Sequence, residues 1–414
     1  MHEIVREPPS IVVFPSRILS QSTWQLLGIW FAVRCFTWMW AALVSMVRPS
    51  RQLEQIIPIW PPTTPIARWL ERVFISPWDR WDVSFYVFIV ERGYQKDDGT
   101  AQFHPLLAWL AIPVAWLTDH PPQALLVVSA LASIFMFIAF ERLAGLDLQP
   151  ADARASLLLF ISCPVAFILF APYTESLFLL WAVACFYGMR QRSWWLAGLA
   201  GGLAVLTRQQ GLFLVFPLAW ELWEAAERKW RRALARWRDW LALLFIVLGL
   251  AVWLVYRAVA LGDLRASFAD PQALIYSLLI SPSASKVVPV QAFLPPWQAL
   301  WLALAKLWRE PELSLVVDLL LGAGFLVLLA FAWRHLRLSY RIYTAVIVLV
   351  SFGYYTGPVF PYMGLPRHLL LAFPVFIGLG ARRLPWYARH LLLAGGLLAS
   401  SFLLLLYVTE SWTP

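Results

Sequence analysis

The residues best suited to chemistry begin with two aspartates, Asp79 and Asp82, which lie among large aromatic side chains between two apolar segments. A carboxylate can act as a general base on a hydroxyl group if its own partners leave it available. We predict a helix here, with Ser76 as its N-cap, Asp79 completing a capping box and Gly93 as its C-terminal stop. Capping gives Asp79 a structural role, whereas Asp82, one turn further in, is not needed for it. Asp82 is therefore the first candidate for a catalytic base, and Asp79 is the second.

Asp82 directly follows Trp81 in a stretch of aromatic residues at the rim of an apolar segment. An acid at such a position in a membrane protein usually has a function, and Trp81 beside it is a candidate substrate contact. The structural alternative for Asp82 is a surface ion pair with Arg80 or Arg92. The sequence leaves that alternative open.

Three further polar clusters also stand at the ends of apolar runs, at residues 171–176, 207–211 and 362–368. Structural alternatives exist here too, because Glu175 suits the first turn of a helix and Arg208 can snorkel to the membrane interface. The predicted topology puts all the clusters on the external side, where they form one pocket with a base and several cations. Such a pocket suits an anionic, phosphorylated, lipid-linked substrate. The candidate substrate-binding residues in these clusters are Tyr173, Glu175, Arg208, Gln209, Arg367 and His368.

The composition predicts an all-α polytopic membrane protein. Of the 414 residues, 61% are apolar and 14% are charged, a charged fraction well below that of soluble domains. The net charge of +9 is spread over short loops between apolar runs, as the positive-inside rule expects, so no nucleic-acid partner is predicted. The His and Cys residues show no metal-ligand spacing, and neither a metal nor a cofactor is predicted. The chain has no Asn and hence no N-glycosylation site, which favours a bacterial or archaeal source.

The apolar runs predict about 11 transmembrane helices, within a range of about 10–12. The first span contains Arg34, which should face the protein interior. The basic segment 224–239 should be a cytoplasmic amphipathic helix, and the run 104–117 is too short to cross the hydrocarbon. The last spans are predicted at 313–333, 342–357, 366–381 and 390–408.

Two long external loops are predicted, at 48–103 and 262–312. The first carries the active-site helix, and the second carries an amphipathic helix between Trp297 and Trp308. Loops of this length in a compact protein usually have a function. No boundary between soluble domains is evident, so residues 1–414 are predicted to form a single membrane domain.

Three motifs between residues 74 and 215 resemble, in matching order, those of the PIG-V type mannosyltransferases, which add the second mannose to the glycosylphosphatidylinositol core. The first resembles "RWD…GY…FFP", the second resembles "SPA.VF…A.YSEALF", and the third resembles an Arg-containing turn that ends in Gly. His104 replaces an aromatic residue of the first motif, and residues 358–368 match no motif of the family. The matching residues are Trp81-Asp82, Glu91–Tyr94 and Phe103–Leu106, then Ser162–Phe167 and Ala171–Phe178, then Thr207–Gly211.

The resemblance implies the C-type glycosyltransferase fold and an inverting transfer from a polyprenyl-phosphate sugar. It implies a hexose, mannose by analogy, moved to a glycolipid or other glycan acceptor at the external membrane face, with Asp82 in the position of the family's loop acid. Trp81 and His104 join the substrate-binding candidates. Membrane lipids are the other expected partners, and the location is the cell membrane, or the endoplasmic reticulum membrane for a eukaryotic chain. The competing function is a transporter or flippase of a lipid-linked sugar.

Overall fold

A computed structural model describes residues 21–48, 64–96, 98–262 and 291–412. Almost all of the described secondary structure is helical, as the composition predicts. Five helical stretches are long and apolar enough to cross a membrane. They are Thr23–Val47, Pro121–Ala144, Trp237–Leu261, Leu313–His335 and Trp386–Val408.

The first half of the chain contains short helices between two long ones. Its α-helices are α1 Gln21–Val47, α2 Pro65–Phe74, α3 Asp82–Arg92, α4 Leu106–Thr118, α5 Pro121–Ala144, α6 Pro150–Ile161, α7 Glu175–Arg190 and α8 Trp194–Thr207. Single 3-10 turns at Ser76–Trp78, Thr100–Gln102 and Ala166–Phe170 join them.

The second half continues with α9 Val215–Ala225, α10 Trp230–Ala235, α11 Trp237–Trp240, α12 Ala242–Tyr256, α13 Pro296–Arg309, α14 Leu313–Ala332, α15 Leu338–Gly353, α16 Leu365–Leu370, α17 Pro374–Ala381 and α18 Trp386–Val408. A 3-10 helix at Gln209–Leu214 precedes α9, another at Trp333–His335 follows α14, and a π-helical turn at Arg257–Leu261 follows α12. Two short antiparallel strands, β1 Ala292–Phe293 and β2 Tyr354–Tyr355, pair with each other.

Helices α7, α8 and α12 pack closely because small residues line their contacts. A Cβ atom on Gly202 of α8 would lie 2.5 Å from the carbonyl oxygen of Phe245, and one on Gly249 of α12 would lie 2.5 Å from that of Gly202. Glycines allow such backbone approach between apolar helices. This packing fixes the end of α8, from which the Arg208 segment emerges.

The tertiary structure changes three of the predicted elements. The span predicted at 366–381 is wrong as one helix, because α16 ends at Leu370 and α17 starts at Pro374. Proline has no N–H group, so Pro374 cannot donate the helical hydrogen bond to the carbonyl of Leu370. The span predicted at 342–357 begins earlier, at Leu338, and ends at Gly353. The basic segment 224–239 is not one amphipathic helix, since Lys229 and Arg236 interrupt it on either side of α10.

Other predictions agree with the structure where it describes the chain. Helix α13, Pro296–Arg309, is the amphipathic element expected in the second long loop, and it exposes Trp297, Trp301 and Trp308. The run 104–117 forms α4, whose 13 residues are too few to span the hydrocarbon. Residues 49–63 and 263–290 of the two long loops lie outside the described part of the chain.

Arg34 faces the protein interior, as predicted for a cation inside a span. It is buried, donates a hydrogen bond to the carbonyl oxygen of Phe170 and lies over the ring of Trp38, 4.5 Å from the ring centroid. The carbonyl it binds ends the 3-10 turn that leads into Tyr173 and Glu175. Arg34 thus ties α1 to the segment that supplies part of the polar site.

Candidate active site

A polar cavity of about 190 Å³ lies where the polar clusters of the sequence meet. Of the ten predicted site residues, the cavity wall contains Asp82, His104, Arg208, Gln209, Arg367 and His368. Tyr173 and Glu175 lie directly behind this wall, in contact with its arginines. The clusters therefore do form one site, although they are far apart in the chain.

Asp82 reaches the cavity from a helix that begins later than predicted. The single helix with Ser76 as its N-cap is wrong: a 3-10 turn, Ser76–Trp78, ends at Asp79, and α3 begins at Asp82 itself. Asp79 therefore belongs to no capping box. The predicted stop is confirmed, since Gly93 is the C-cap with φ 75°. Asp82 occupies the first turn of α3, where the helix dipole favours an acid.

Tertiary hydrogen bonds explain why the helix breaks at this point. The hydroxyl of Tyr407 donates to the carbonyl of Trp78 at 3.1 Å, and the hydroxyl of Tyr173 donates to that of Arg80 at 3.1 Å. The guanidinium of Arg80 donates to the carbonyl of Asp79 at 2.9 Å. Carbonyls used in this way are satisfied without a continuous helix, and none of the partners is close in sequence except Arg80.

Trp81 sits at the break with φ 55° and ψ −117°, a conformation that is strained for a residue with a side chain. Strained backbone of this kind is concentrated at functional sites, where the surrounding structure enforces it. Trp81 is 36% exposed, and it is not one of the described residues that line the cavity. Its effect on the site is to turn the chain so that Asp82 points into the cavity.

The charges of the site form a continuous array. Nη1 of Arg367 lies 2.7 Å from Oδ2 of Asp82, and Nε of Arg367 lies 3.3 Å from Oε1 of Glu175. The same oxygen of Glu175 also pairs with Nη1 of Arg208, which donates to Thr174 at 2.9 Å as well. Glu175 is fully buried, so it is compensated by two arginines and shared between them.

The contacts exclude the structural alternatives for Asp82 and Arg208, whereas the one for Glu175 is met. Asp82 pairs with Arg367 rather than with Arg80 or Arg92, whose acidic partners are Glu410 and Asp98. Arg208 does not snorkel to solvent, because its side chain is 12% exposed and bound to Glu175. Glu175 does lie in the first turn of α7, as its structural alternative proposed. Glu175 is therefore an acid at a helix N-terminus and also a member of the charged array.

Two aromatic residues lie near the charged array. The Arg367 guanidinium carbon lies 5.2 Å from the ring centroid of Tyr173, a cation–π contact. Tyr86, one turn after Asp82 on α3, also lines the cavity. Burial raises the pKa of Tyr86 well above its ordinary value, with smaller effects of Arg208, Asp82 and Glu175. Its hydroxyl is therefore a neutral polar group at neutral pH.

His104 lines the same cavity as the ion-paired residues. Its Nδ1 is 2.6 Å from the carbonyl oxygen of Val205, and its ring centroid is 5.8 Å from that of Trp253. Burial lowers the pKa of His104 to about 3; the hydrogen bond to Val205 opposes this effect, and Arg257 and Arg208 add to it. The imidazole is therefore neutral at physiological pH.

Asp79, the second candidate base, lies away from the cavity. Among the described residues it does not line the cavity, and its Oδ1 is buried without a hydrogen-bond partner. Burial raises its pKa to about 6, while Arg80 lowers it and Glu71 raises it further. Its position beside Arg80 makes it part of the support for the chain break at Trp81.

Sequence reasoning missed several residues of the wall. Arg257 is the most notable: it is buried, lines the cavity and stands at the end of the span Trp237–Leu261. A cation at the end of an apolar run was the signal used for Arg208, and the same signal applies to Arg257. Others are Gln291, Tyr354 and Trp253, whose positions depend on tertiary packing.

The cavity combines one acid with several cations. Among the described residues that line it, Asp82 is the only carboxylate, and the arginines are Arg208, Arg257 and Arg367. No three His, Cys, Asp or Glu side chains come together as a metal-binding group in the described part of the chain. Such a wall can bind a phosphate and deprotonate a neighbouring hydroxyl.

A second, apolar cavity of about 400 Å³ lies among α6, α14, α16, α17 and α18. Its wall includes Pro366 and Leu369 of α16, Leu320 of α14, and the glycines Gly324 and Gly395. A Cβ atom on either glycine would meet nothing within 4 Å. The cavity therefore has free space at both glycines and an apolar lining suited to a hydrocarbon chain.

Comparison with known proteins finds similar sequences among mannosyltransferases. The chain is 27% identical over 197 residues to GPI alpha-1,6-mannosyltransferase 2 of Rattus norvegicus, and 27% identical over 196 residues to the protein of that name from Mus musculus. These regions are 45% and 44% of this chain but 40% and 39% of the relatives. The chain is a distant relative of these mannosyltransferases. This relationship confirms the PIG-V type resemblance seen in the motifs, over about two fifths of the length of the relatives. No family model matches the chain.

The fold of this PIG-V-like chain is similar to that of a solved glycosyltransferase. The structure of ArnT from Cupriavidus metallidurans, bound to undecaprenyl phosphate, aligns with a TM-score of 0.52 at 13% identity. The alignment covers 89% of this chain and 62% of ArnT. The predicted C-type glycosyltransferase fold is therefore confirmed, together with a multi-pass membrane architecture. The number of spans beyond the five long helices remains a prediction.

Proposed function

We propose that the protein transfers a hexose, mannose by its relatives, from a polyprenyl-phosphate donor to a lipid or glycan acceptor, with inversion at the anomeric carbon. The observation that carries this proposal is the cavity wall, in which Asp82 is the only carboxylate among the described residues and stands together with arginines that suit a phosphate. The relatives support the sugar through their name, mannosyltransferase. ArnT supports a lipid phosphate through the undecaprenyl phosphate in its structure.

In this mechanism Asp82 accepts the proton of an acceptor hydroxyl as its oxygen attacks the anomeric carbon. The bond between that carbon and the phosphate oxygen breaks, and polyprenyl phosphate leaves with the bonding electrons. Arg367 and Arg208 stabilise the charge that develops on the phosphate. Because Arg367 is bound to Asp82 at 2.7 Å, one side chain links the base to the leaving group.

Glu175 holds these arginines rather than touching substrate. Its Oε1 binds Arg367 and Arg208 at once, and its burial excludes water from both contacts. Preorganised charges of this kind need no rearrangement when charge develops in the transition state. Tyr173 supports Arg367 in the same way, through its ring.

The lipid chain of the donor lies in the apolar cavity on the far side of α16. Pro366 and Leu369 face that cavity, while Arg367 and His368 face the polar one. A molecule with a phosphate head and a hydrocarbon tail matches this pair of surfaces. The basic turns at 334–337 and 382–383 mark the opposite, cytoplasmic side by the positive-inside rule, so the transfer occurs at the external face.

The test is product formation by purified protein from labelled polyprenyl-phosphate mannose and a membrane glycolipid extract. Asp82→Asn keeps the shape of the side chain but removes the proton acceptor, so turnover should fall by roughly 10²–10⁴-fold. Asp152→Asn is the matched control, because Asp152 is also partly exposed and ion-paired, with Arg383 at 3.0 Å, outside the cavity. It should retain the turnover of the parent.

The competing functions give different results in the same assay. A transporter or flippase yields no labelled glycolipid from the parent protein, and its Asp82→Asn variant differs in flux instead. Equal turnover of the parent and Asp82→Asn, with both proteins monodisperse, would remove Asp82 as the base. Failure of the Asp152→Asn control together with Asp82→Asn would mean that losing an ion pair, rather than a base, is the cause.

A further inference from the structure

His104 is a predicted site residue at which this chain departs from the first of the motifs that it otherwise resembles. The motif has an aromatic residue at this position, which has no hydrogen-bond acceptor in its ring. His104 keeps an aromatic ring and adds two nitrogen atoms. The structure assigns a different use to each of them.

Nδ1 of His104 forms a hydrogen bond with the protein backbone. It lies 2.6 Å from the carbonyl oxygen of Val205 near the end of α8. A carbonyl oxygen can only accept, so Nδ1 must carry the proton and donate. The neutral ring then has its lone pair on Nε2, which can only accept a hydrogen bond.

Nε2 is available inside the cavity. His104 belongs to the cavity wall, and within the described part of the chain Nε2 has no hydrogen-bond partner. Burial of the ring disfavours its protonation, and the positive charges of Arg257 and Arg208, which also line the cavity, add to this effect. Their guanidinium groups make a second, cationic form of His104 costly. His104 therefore presents a fixed acceptor to whatever occupies the cavity.

The surroundings of Nε2 suit a sugar ring. Trp253 also lines the cavity and lies 5.8 Å from His104 between ring centroids, while Tyr256 stacks on Trp253 at 5.8 Å. An aromatic wall binds the apolar face of a sugar, and polar groups at its edge bind the hydroxyl groups. Asp82 and its ion partner Arg367 line the same cavity.

We propose that His104 determines which sugar is transferred, by accepting a hydrogen bond at Nε2 from one hydroxyl group of the donor hexose. This inference rests on the proposed function and adds to it a specificity-determining contact. Asp82, Arg208 and Arg367 perform the transfer, and His104 selects the sugar. A phenylalanine at this position would keep the stacking surface and lose the selection.

The experiment compares the parent, His104→Phe and His104→Gln in the labelled transfer assay. The donors are polyprenyl-phosphate mannose and a set of analogues, each with a single sugar hydroxyl replaced by hydrogen. With the parent, one analogue should be transferred about three- to tenfold less efficiently in kcat/KM because it lacks the bonded hydroxyl. With His104→Phe, kcat/KM for the mannose donor should fall to its value for that analogue, so the difference in kcat/KM between the two donors disappears.

His104→Gln distinguishes a role of His104 in sugar selection from a purely structural role. Its side chain retains an acceptor, so it should restore part of the preference for mannose over that analogue. A merely structural role would lower the transfer of all donors alike in His104→Phe and leave every ratio unchanged. Unchanged ratios would therefore overturn the proposal, as would a parent protein that accepts all the analogues equally.

Failure of the proposed function looks different. A parent protein that forms no product from any donor would overturn the transfer reaction and this contact with it. A parent that transfers mannose, with unchanged ratios in His104→Phe, would overturn only the role of His104. His104→Phe also differs from Asp82→Asn in size, because it should lower kcat/KM for the mannose donor about three- to tenfold, whereas Asp82→Asn should lower turnover by roughly 10²–10⁴-fold.

Discussion

The polar and apolar cavities lie on opposite sides of one six-residue helix, α16. Pro366 and Leu369 face the apolar cavity, and Arg367 and His368 face the polar one. The polar cavity, at about 190 Å³, is the smaller of the two, and the apolar one reaches about 400 Å³. One short element thus divides a charged surface from an apolar surface, and the substrate class that we propose rests on the pair rather than on either alone.

The two cavities are organised by different physics. On the polar side, direction matters: Glu175 binds two arginines through one oxygen, and Asp82 is held by one of them. On the apolar side, only shape and free space matter, since the hydrophobic effect is non-directional. A small change should therefore damage the polar side severely and the apolar side in proportion to the volume it removes.

Of the substitutions that compare the polar and apolar cavities, Glu175→Gln should have the largest effect on stability and turnover. It leaves the buried guanidinium of Arg367 and the part-buried guanidinium of Arg208 without their shared carboxylate, and removing one partner of a buried pair costs about 3–5 kcal/mol. Displaced arginines should also lower turnover by roughly a hundredfold. The measurements are thermal unfolding in detergent and labelled transfer. Glu221→Gln is the control, because Glu221 is also buried, accepts from Ser339 at 2.6 Å and lies outside the cavity.

The control decides how a loss of activity is interpreted. Glu221→Gln should cost stability but keep the turnover of the folded protein. If Glu175→Gln also keeps full turnover, Glu175 does not position the arginines, and the array is only structural.

Gly395→Leu should have an intermediate effect, confined to the lipid. The new side chain fills free space in the apolar cavity and displaces about two methylene groups of a bound chain. At about 0.8 kcal/mol for each, kcat/KM for a long-chain donor should fall roughly tenfold. Gly28→Leu is the control, because Gly28 of α1 also has open space beside it but does not line the cavity.

Chain length sharpens this comparison. A donor with a short isoprenoid chain should be affected less by Gly395→Leu than a long-chain donor. Equal losses with both donors, or an equal loss in Gly28→Leu, would mean that the apolar cavity does not hold the substrate.

Asp79→Asn should have the smallest effect on turnover and a clear effect on the pH dependence of stability. Burial raises the pKa of Asp79 to about 6 from an ordinary 3.8. The folded state therefore binds more protons than the unfolded state between these values, so stability falls as pH rises from about 4 to about 6. The shift corresponds to about 3 kcal/mol. Asp79→Asn cannot ionise and should remove this loss.

The measurement is the thermal unfolding midpoint from pH 4 to pH 7, for the parent, Asp79→Asn and the control Asp152→Asn. Only Asp79→Asn should flatten the profile. A large loss of turnover in folded Asp79→Asn would instead indicate that Asp79, not Asp82, acts as the base.

The sequence by itself determined the membrane class, the helical architecture and most of the polar clusters. Apolar runs and basic turns act locally, because burying apolar side chains in lipid depends only on composition and length. The motifs around Asp82, Glu175 and Arg208 can likewise be recognised from the order of the residues alone. The predicted stop at Gly93 is local too, since only glycine adopts such a positive φ without cost.

Only the tertiary structure decided which charges meet. Arg367 stands 285 residues from Asp82, and no local rule could choose it over Arg80 or Arg92. The helix break at Trp81 also depends on hydroxyls of Tyr173 and Tyr407, distant residues that bind carbonyls a helix would have used. Long-range pairing of this kind overrides helix capping preferences, because a buried polar group must find a partner wherever the fold provides one.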